Sequence, residues 1–205
     1  MSQKFDLIVI GSGPAGEKAG AQAAYHGYRV ALIERSPWVG GAAVSNAGIP
    51  TKTLRETAIY MTGFRRRDIY GIAPAVDSRG VSDRMRSRTA EVFREMEQRV
   101  RQNIERHNIA LIQGEARLGP NRNVIVQEPG GSERVLEGGI VLIATGSRPR
   151  HPVGVPFDDP DVMDSDAVMD IEEPFNTLVV VGGTTIGCEY ASIFAAAGVE
   201  VTLID

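Results

Sequence analysis

Residues 5–16 read Phe5-Asp6-Leu7-Ile8-Val9-Ile10-Gly11-Ser12-Gly13-Pro14-Ala15-Gly16; an Ala-rich stretch to about His26 and the run Tyr28 to Glu34 follow. An apolar run that meets a Gly-rich turn and then a helical pattern reads as a buried strand feeding a helix. Each glycine of the G-x-G-x-x-G spacing has its own task. Gly11 permits the tight turn, Gly13 lets backbone approach a pyrophosphate, and Gly16 lets the helix pack against the strand. The helix start at Pro14 and Ala15 presents N–H groups and the positive end of a dipole to an anion. Glu34, 23 residues after Gly11, is placed to accept hydrogen bonds from the adenosine ribose hydroxyls of such a ligand. Strand, turn, helix and acid in this order mark the opening of a dinucleotide-binding unit.

The same unit occurs twice. Displaced by 171 positions, Leu7 falls on Leu178, Gly11 on Gly182, Gly16 on Gly187, Gly27 on Gly198, Val30 on Val201 and Glu34 on Asp205. The register holds over 28 residues without a gap. The second copy runs from Leu178 through a turn that opens at Gly182 and a helix to about Ala197, then Val199 to Asp205. Its one departure is Thr184, which stands where the first copy has Gly13. A β-branched side chain there would crowd a pyrophosphate or force the turn to reshape. Asp205 favours an unphosphorylated ribose, and Gly182, Gly187 and Asp205 are the candidate nucleotide contacts of this copy.

Composition narrows the rest. The chain has 205 residues, 42% of them hydrophobic, a formal net charge of −4, three histidines and one cysteine. One cysteine excludes a disulfide scaffold and a Cys-rich zinc site, and no metal site is expected. The first apolar run, Leu7 to Ile10, meets Gly11 at once, so neither a signal-peptide core nor a spanning helix is expected. Cytoplasm is the expected location and no membrane partner is foreseen. Residues 55–106 hold 12 arginines against eight acids, whereas residues 151–205 hold 11 acids and no Lys or Arg. The arginines alternate with Glu and accompany no base-reading motif, so they read as a solvated helix face and no nucleic acid is expected.

Between the copies lie Trp38-Val39-Gly40-Gly41-Ala42-Ala43 and Gly48-Ile49-Pro50-Thr51-Lys52. Helix is expected from Pro50 to about Phe64 and again from about Ser82 to His107. There Met85, Thr89, Val92, Phe93, Met96, Val100 and Ile104 make one apolar face. Short strands are expected at Ile109–Gln113, Asn123–Gln127, Arg134–Leu136 and Ile140–Ile143, the last leading into Ala144-Thr145-Gly146-Ser147-Arg148-Pro149. Residues 151–176, rich in Pro and Asp, read as a linker. Cys188 reads as a small buried hydrophobe. His26, His107 and His151 read as surface or packing residues.

Four motifs in this order, from Phe5 to Asp205, resemble the two-dinucleotide flavoprotein family. They are G-x-G-x-x-G with its acid, G-G…I-P-T-K, the apolar run with A-T-G-S-R-P, and the second fingerprint. The resemblance implies a doubly wound α/β architecture of Rossmann-like folds. Residues 1–150 would form a three-layer FAD-binding domain with a helical insertion at 50–107. Residues 177–205 would begin an NAD(P)-binding domain after the linker. It implies FAD on the first fingerprint and NAD(P)H as substrate on the second, with hydride passing between nicotinamide and flavin. The implied FAD contacts are Gly11, Ser12, Gly13, Pro14, Ala15, Gly16, Glu34, Arg35, Val39, Gly40, Gly41, Ala43, Lys52, Gly114, Ala116, Ala144, Thr145 and Gly146. Lys52 and Glu189 are implied as a catalytic pair beside the flavin. On their own, Lys52 also suits a solvated helix start and Glu189 a helix-dipole partner.

The disulfide reductases of that family carry C-x-x-x-x-C where this chain has Ala43 and Gly48. Without both sulfurs no dithiol forms there, and disulfide substrates are not expected. The wording of residues 48–58, 146–149, 164–166 and 186–194 is most similar to the branch that exchanges hydride between two pyridine nucleotides. Two alternatives stay open: an FAD- or nucleotide-binding fragment without its own turnover, and a dihydrolipoyl-dehydrogenase-like relative that has lost its disulfide. The family continues well past the position of Asp205 with further domains and forms homo-oligomers, so the chain is expected to be part of a longer enzyme.

Overall fold

The structure, a computed structural model, describes residues 3–65, 78–170 and 175–205. Residues 66–77 of the expected helical insertion and 171–174 of the expected linker lie outside the described residues. The chain forms two compact units, one of residues 1–45 with 94–148, the other of residues 46–93 with 149–205.

In the first unit, strands β1 (Gln3–Ile10) and β2 (Val30–Glu34) flank helix α1 (Pro14–Tyr25), and the short helix α2 spans Ala42–Ser45. Helices α3 (Ile49–Arg65) and α4 (Ser78–Arg106) come next in the chain. Strands β3 (Ala110–Gln113), β4 (Glu115–Leu118), β5 (Asn123–Gln127) and β6 (Glu133–Ile143) then complete a six-stranded sheet of order β3-β2-β1-β6-β5-β4. β3, β2, β1 and β6 run parallel, while β6-β5-β4 are antiparallel. Alternation along the strands divides the core. Ile8, Ala31, Ile33 and Ile112 pack on Val124, Val126 and Leu136 of the hairpin. Val9, Val30 and Leu32 pack on the other face with Ala21 of α1 and Ile104 of α4. Helices, parallel sheet and antiparallel hairpin make three layers, the Rossmann-like α/β class that the sequence implies. Each fully buried Ile or Leu contributes about 2–3 kcal/mol.

Two sequence expectations change. The strands expected at 134–136 and 140–143 are one strand, and β4 is an additional strand. Gly138 and Gly139 resemble a turn signal, yet they lie inside β6, with Gly138 in parallel register with Phe5 of β1. A Cβ on Gly138 would lie 2.8 Å from the Ile8 side chain, and one on Gly139 would lie 3.0 Å from the Asp6 carbonyl oxygen. The glycines are there for close approach, not for turning.

In the second unit β7 (Thr177–Val181) and β8 (Glu200–Ile204) pair in parallel, with α5 (Thr185–Ala197) between them in sequence. Leu54 and Ala58 of α3 pack with Ile193 and Ala197 of α5 and with Met85 of α4. The apolar stripe of α4 thus serves two cores: Val100 and Ile104 the first, Met85 the second.

An alanine at Gly16 or Gly187 would set its Cβ 1.9 Å from the carbonyl oxygen of Gly11 or Gly182. Each of Gly16→Ala and Gly187→Ala should therefore cost about 3 kcal/mol in chemical denaturation. Gly27→Ala, at φ +85 with nothing within 4 Å, should cost only about 1–2 kcal/mol.

Candidate nucleotide-binding sites

Gly11 leaves β1 at φ +103, its N–H donating to the Ile33 carbonyl at 2.8 Å. Gly13 caps α1 in an extended conformation, φ −62 and ψ 176, with Pro14 following and no side chain capping the helix. Pro14 and Ala15 are exposed, so the positive end of α1 faces outward. Ser12 is fully buried and organises the turn. Its N–H and its hydroxyl both donate to Glu34 Oε2, at 2.9 and 2.6 Å, and the Ser36 N–H donates to Oε1 at 2.9 Å. The Gly40 N–H in turn donates to the Ser12 hydroxyl oxygen at 3.1 Å. Burial pushes the Glu34 carboxyl up, but the Ser12 hydroxyl and the N–H groups of Ser36, Ser12 and Arg35 outweigh it. The group is held below the ordinary glutamate value.

The other implied contacts of the first copy lie in the same unit. The backbone of Gly41 closes on Gly13, where a Cβ on Gly41 would stand 2.8 Å from Gly13 Cα. Gly114 donates its N–H to the Glu34 carbonyl at 2.8 Å, and Ala144 donates to the Ile10 carbonyl at 2.8 Å. Ala116 packs on the hairpin core, Val39 is buried with Val9 and Leu32, and Arg35, Thr145 and Gly146 are exposed. Ala43, half-buried, sits in α2. Sequence reasoning missed the Ser12 hydroxyl as the hub. A serine between two fingerprint glycines, with an acid 22 positions on, was the available signal. It also missed Glu17, a buried carboxylate of α1 that accepts from the Asn103 amide and pairs with Lys18 at 3.0 Å.

The second copy folds in the same way. The Gly182 N–H donates to the Ile204 carbonyl at 2.7 Å, and the Gly183 N–H donates to Asp205 Oδ1 at 2.9 Å. Gly183 occupies the place of Ser12, so the acid-to-turn hydrogen bond is repeated without the hydroxyl. Thr184 has φ −71 and ψ 176, close to the values at Gly13. Of the two consequences foreseen for Thr184, reshaping of the turn does not occur. Any residue adopts that backbone conformation, and the threonine changes only the space in front of the turn.

Lys52 and Glu189 meet inside the second unit. The Lys52 ammonium, in the first turn of α3, donates to Glu189 Oε1 on α5. The Lys52 side chain is largely exposed while that of Glu189 is mostly covered. Gly48 precedes α3 at φ +78, and Thr51 donates its hydroxyl to the Gly48 carbonyl at 3.1 Å. Cys188 corrects the sequence reading: it is exposed, its thiol donating to the Gly183 carbonyl at 3.2 Å. Tyr190, Ile193 and Ala197 set the buried face of α5, and position 188 falls off that face. His26 contacts the Gln22 side chain, His107 the Asn103 carbonyl and His151 the Asp164 carboxylate. Among the described residues no three His, Cys, Asp or Glu gather as metal ligands, and no helix is long and apolar enough to cross a membrane.

Residues 5–205 match the pyridine nucleotide-disulphide oxidoreductase family. The chain belongs to that family. It is 39% identical over 204 residues to a soluble pyridine nucleotide transhydrogenase of Mycobacterium bovis, covering 99% of this chain and 44% of that protein. It is 35% identical to the Bacillus subtilis dihydrolipoyl dehydrogenase, over 97% of this chain and 43% of that one. Among solved structures, the HOCl-induced flavoprotein disulfide reductase RclA from Escherichia coli superposes with a TM-score of 0.82 at 30% identity, over 98% of this chain and 42% of that one. This oxidoreductase-family chain thus spans less than half the length of these relatives.

The Glu34 network carries a pH signature. A carboxyl depressed in the folded state adds stability that is present above its ordinary value and is lost as pH falls through its folded value. Acid denaturation should therefore steepen below pH 4.5, the ordinary value for this group. Glu34→Gln sets an amide donor against N–H and hydroxyl donors. It should cost about 1–3 kcal/mol at pH 7 and flatten that acid limb in denaturant titrations at stepped pH.

Proposed function

We propose that this chain carries the FAD site and part of the nicotinamide-nucleotide site of an oxidoreductase that exchanges hydride between pyridine nucleotides. In this reading FAD lies on residues 1–150, residues 151–176 link, and residues 177–205 open the NAD(P)-binding domain. The observation that carries it is chemical. Two fingerprint turns of the same geometry stand in a chain whose positions 43 and 48 hold Ala and Gly, so the family chemistry that needs no dithiol is the one these residues suit.

The residues fit an FAD pyrophosphate and ribose. A Cβ added at Gly13 would meet nothing nearer than Gly41 Cα at 3.9 Å, which leaves open space in front of an uncapped, outward-facing helix start. Backbone N–H groups there and the dipole of α1 would hold the diphosphate. Glu34, ionised by its network, retains acceptor capacity for ribose hydroxyls. Bound FAD supplies the ring that takes a hydride from reduced nicotinamide and yields it to an oxidised one. Lys52 would present a positive charge and N–H donors at the ring, and Glu189 would fix its ammonium in place. At the second fingerprint, α5 and Asp205 would hold the nicotinamide nucleotide, with Thr184 narrowing the approach to the turn. The family resemblance extends this reading to a cytoplasmic homo-oligomeric holoenzyme.

Purified protein mixed with FAD and desalted should keep flavin absorption bands. NADH or NADPH should bleach them without air, and an oxidised nucleotide analogue should restore them. Lys52→Met should slow the bleaching at least tenfold. A protein that never retains flavin, or one that reduces lipoamide or glutathione disulfide as fast as nucleotide, would show the reading to be wrong.

A further inference from the structure

The segment from His151 to Asp170 is organised by hydrogen bonds of its own. His151 Nε2 meets Asp164 Oδ2 at 2.8 Å, and its ring stacks on Phe157 with centroids 4.0 Å apart. The other oxygen of Asp164, Oδ1, accepts the N–H groups of Asp166 at 3.0 Å and Ala167 at 2.8 Å, folding residues 164–167 into a tight turn. The His151 contact first, helped by those two N–H groups against the effect of burial, holds the Asp164 carboxyl below its ordinary value. The Ser165 carbonyl of this turn accepts a hydrogen bond at 2.9 Å from the Tyr190 hydroxyl.

Tyr190 is the residue after Glu189, and it is buried at 7% exposure with its ring stacked at 6.3 Å on Phe194. Burial, then the carboxylates of Asp166, Glu189 and Asp164, push its phenol up, so it remains a donor at every physiological pH. Consecutive helical residues point about 100° apart. The tyrosine therefore anchors one side of α5 to the turn while Glu189, on the next side, reaches Lys52 of α3. A rotation or slide of α5 that moved Glu189 away from Lys52 would break the Tyr190–Ser165 hydrogen bond. All of these contacts lie in the second unit.

We propose that Tyr190 is a positioning residue: tethered to Ser165 in the turn closed by Asp164, it fixes the rotation of α5 that brings the Glu189 carboxylate onto the Lys52 ammonium. The inference rests on the reading of Lys52 and Glu189 as the flavin-side pair. Tyr190→Phe keeps the ring and its packing and removes only the tether. Asp164→Ala loosens the turn from the far side and serves as a second variant should the first fold poorly.

Two measurements test it. In the FAD-free protein, a denaturation cycle of Tyr190→Phe, Lys52→Met and the double variant should be non-additive by at least fivefold in the unfolding constant. A side chain that only packs would give additive losses, since the Tyr190 and Lys52 side chains share no hydrogen-bond partner and only a coupling carried by α5 links them. In the FAD-loaded protein, Tyr190→Phe and Asp164→Ala should each lower the limiting rate of flavin reduction by NADH or NADPH about tenfold. Nucleotide affinity should stay within twofold. Additive losses together with a wild-type limiting rate would overturn the proposal. If Lys52→Met also reduces flavin at the wild-type rate while the cycle stays non-additive, the tether stands and the role assigned to the pair falls.

Discussion

The carbonyl oxygen of Gly11 lies where a side chain of residue 16 would begin, and the carbonyl of Gly182 stands in the same relation to residue 187. That backbone-on-backbone approach brings the first turn of each helix directly over the strand that feeds it. Everything else in the two fingerprints depends on it. It aims the helix start outward and leaves the turn amide at position 12 or 183 facing the acid at the end of the next strand. An added methyl would separate helix and strand and break the registration of turn and acid together. Packing and ligand geometry are therefore one constraint here, met by a hydrogen atom in place of a side chain.

Around this contact the two copies diverge in instructive ways. In the first, the Ser12 hydroxyl links Glu34 to the Gly40 turn, so three loops share one buried network. In the second, Gly183 leaves Asp205 with a single N–H of the turn. The first turn is preorganised by side-chain chemistry and the second by backbone alone. That contrast suits a tightly held cofactor on one and an exchanging nucleotide on the other.

Much of this was legible in the sequence because the fingerprint is local. Strand, turn, helix and acid lie within 30 residues, and each residue type has a geometric reason. The helices α3, α4 and α5 followed from their periodicity and turn signals. What sequence alone missed depends on distant partners. Gly138-Gly139 looks like a break until Ile8 and Asp6 of β1 are beside it, and the strand then runs through without interruption. Cys188 looks like core until the buried face of α5 is fixed by Tyr190, Ile193 and Ala197. The Ser12 and Tyr190 hydroxyls have no pattern of their own. Their significance comes from acceptors 22 and 25 residues away.

The pairing of β1 with β6 also sets a clock. Gln3 pairs with Leu136 and Ile10 with Ile143, so the centre of the first sheet joins the first strand made to the last one. A ribosome adding about 5–20 residues per second needs on the order of ten seconds to travel between them. For that interval the strand of Ile8 and Val9, wholly buried in the finished protein, has β2 on one side and lacks its other sheet neighbour. The chain is synthesised with one edge of a central strand waiting, and that edge closes only when the strand that carries the glycine pair arrives.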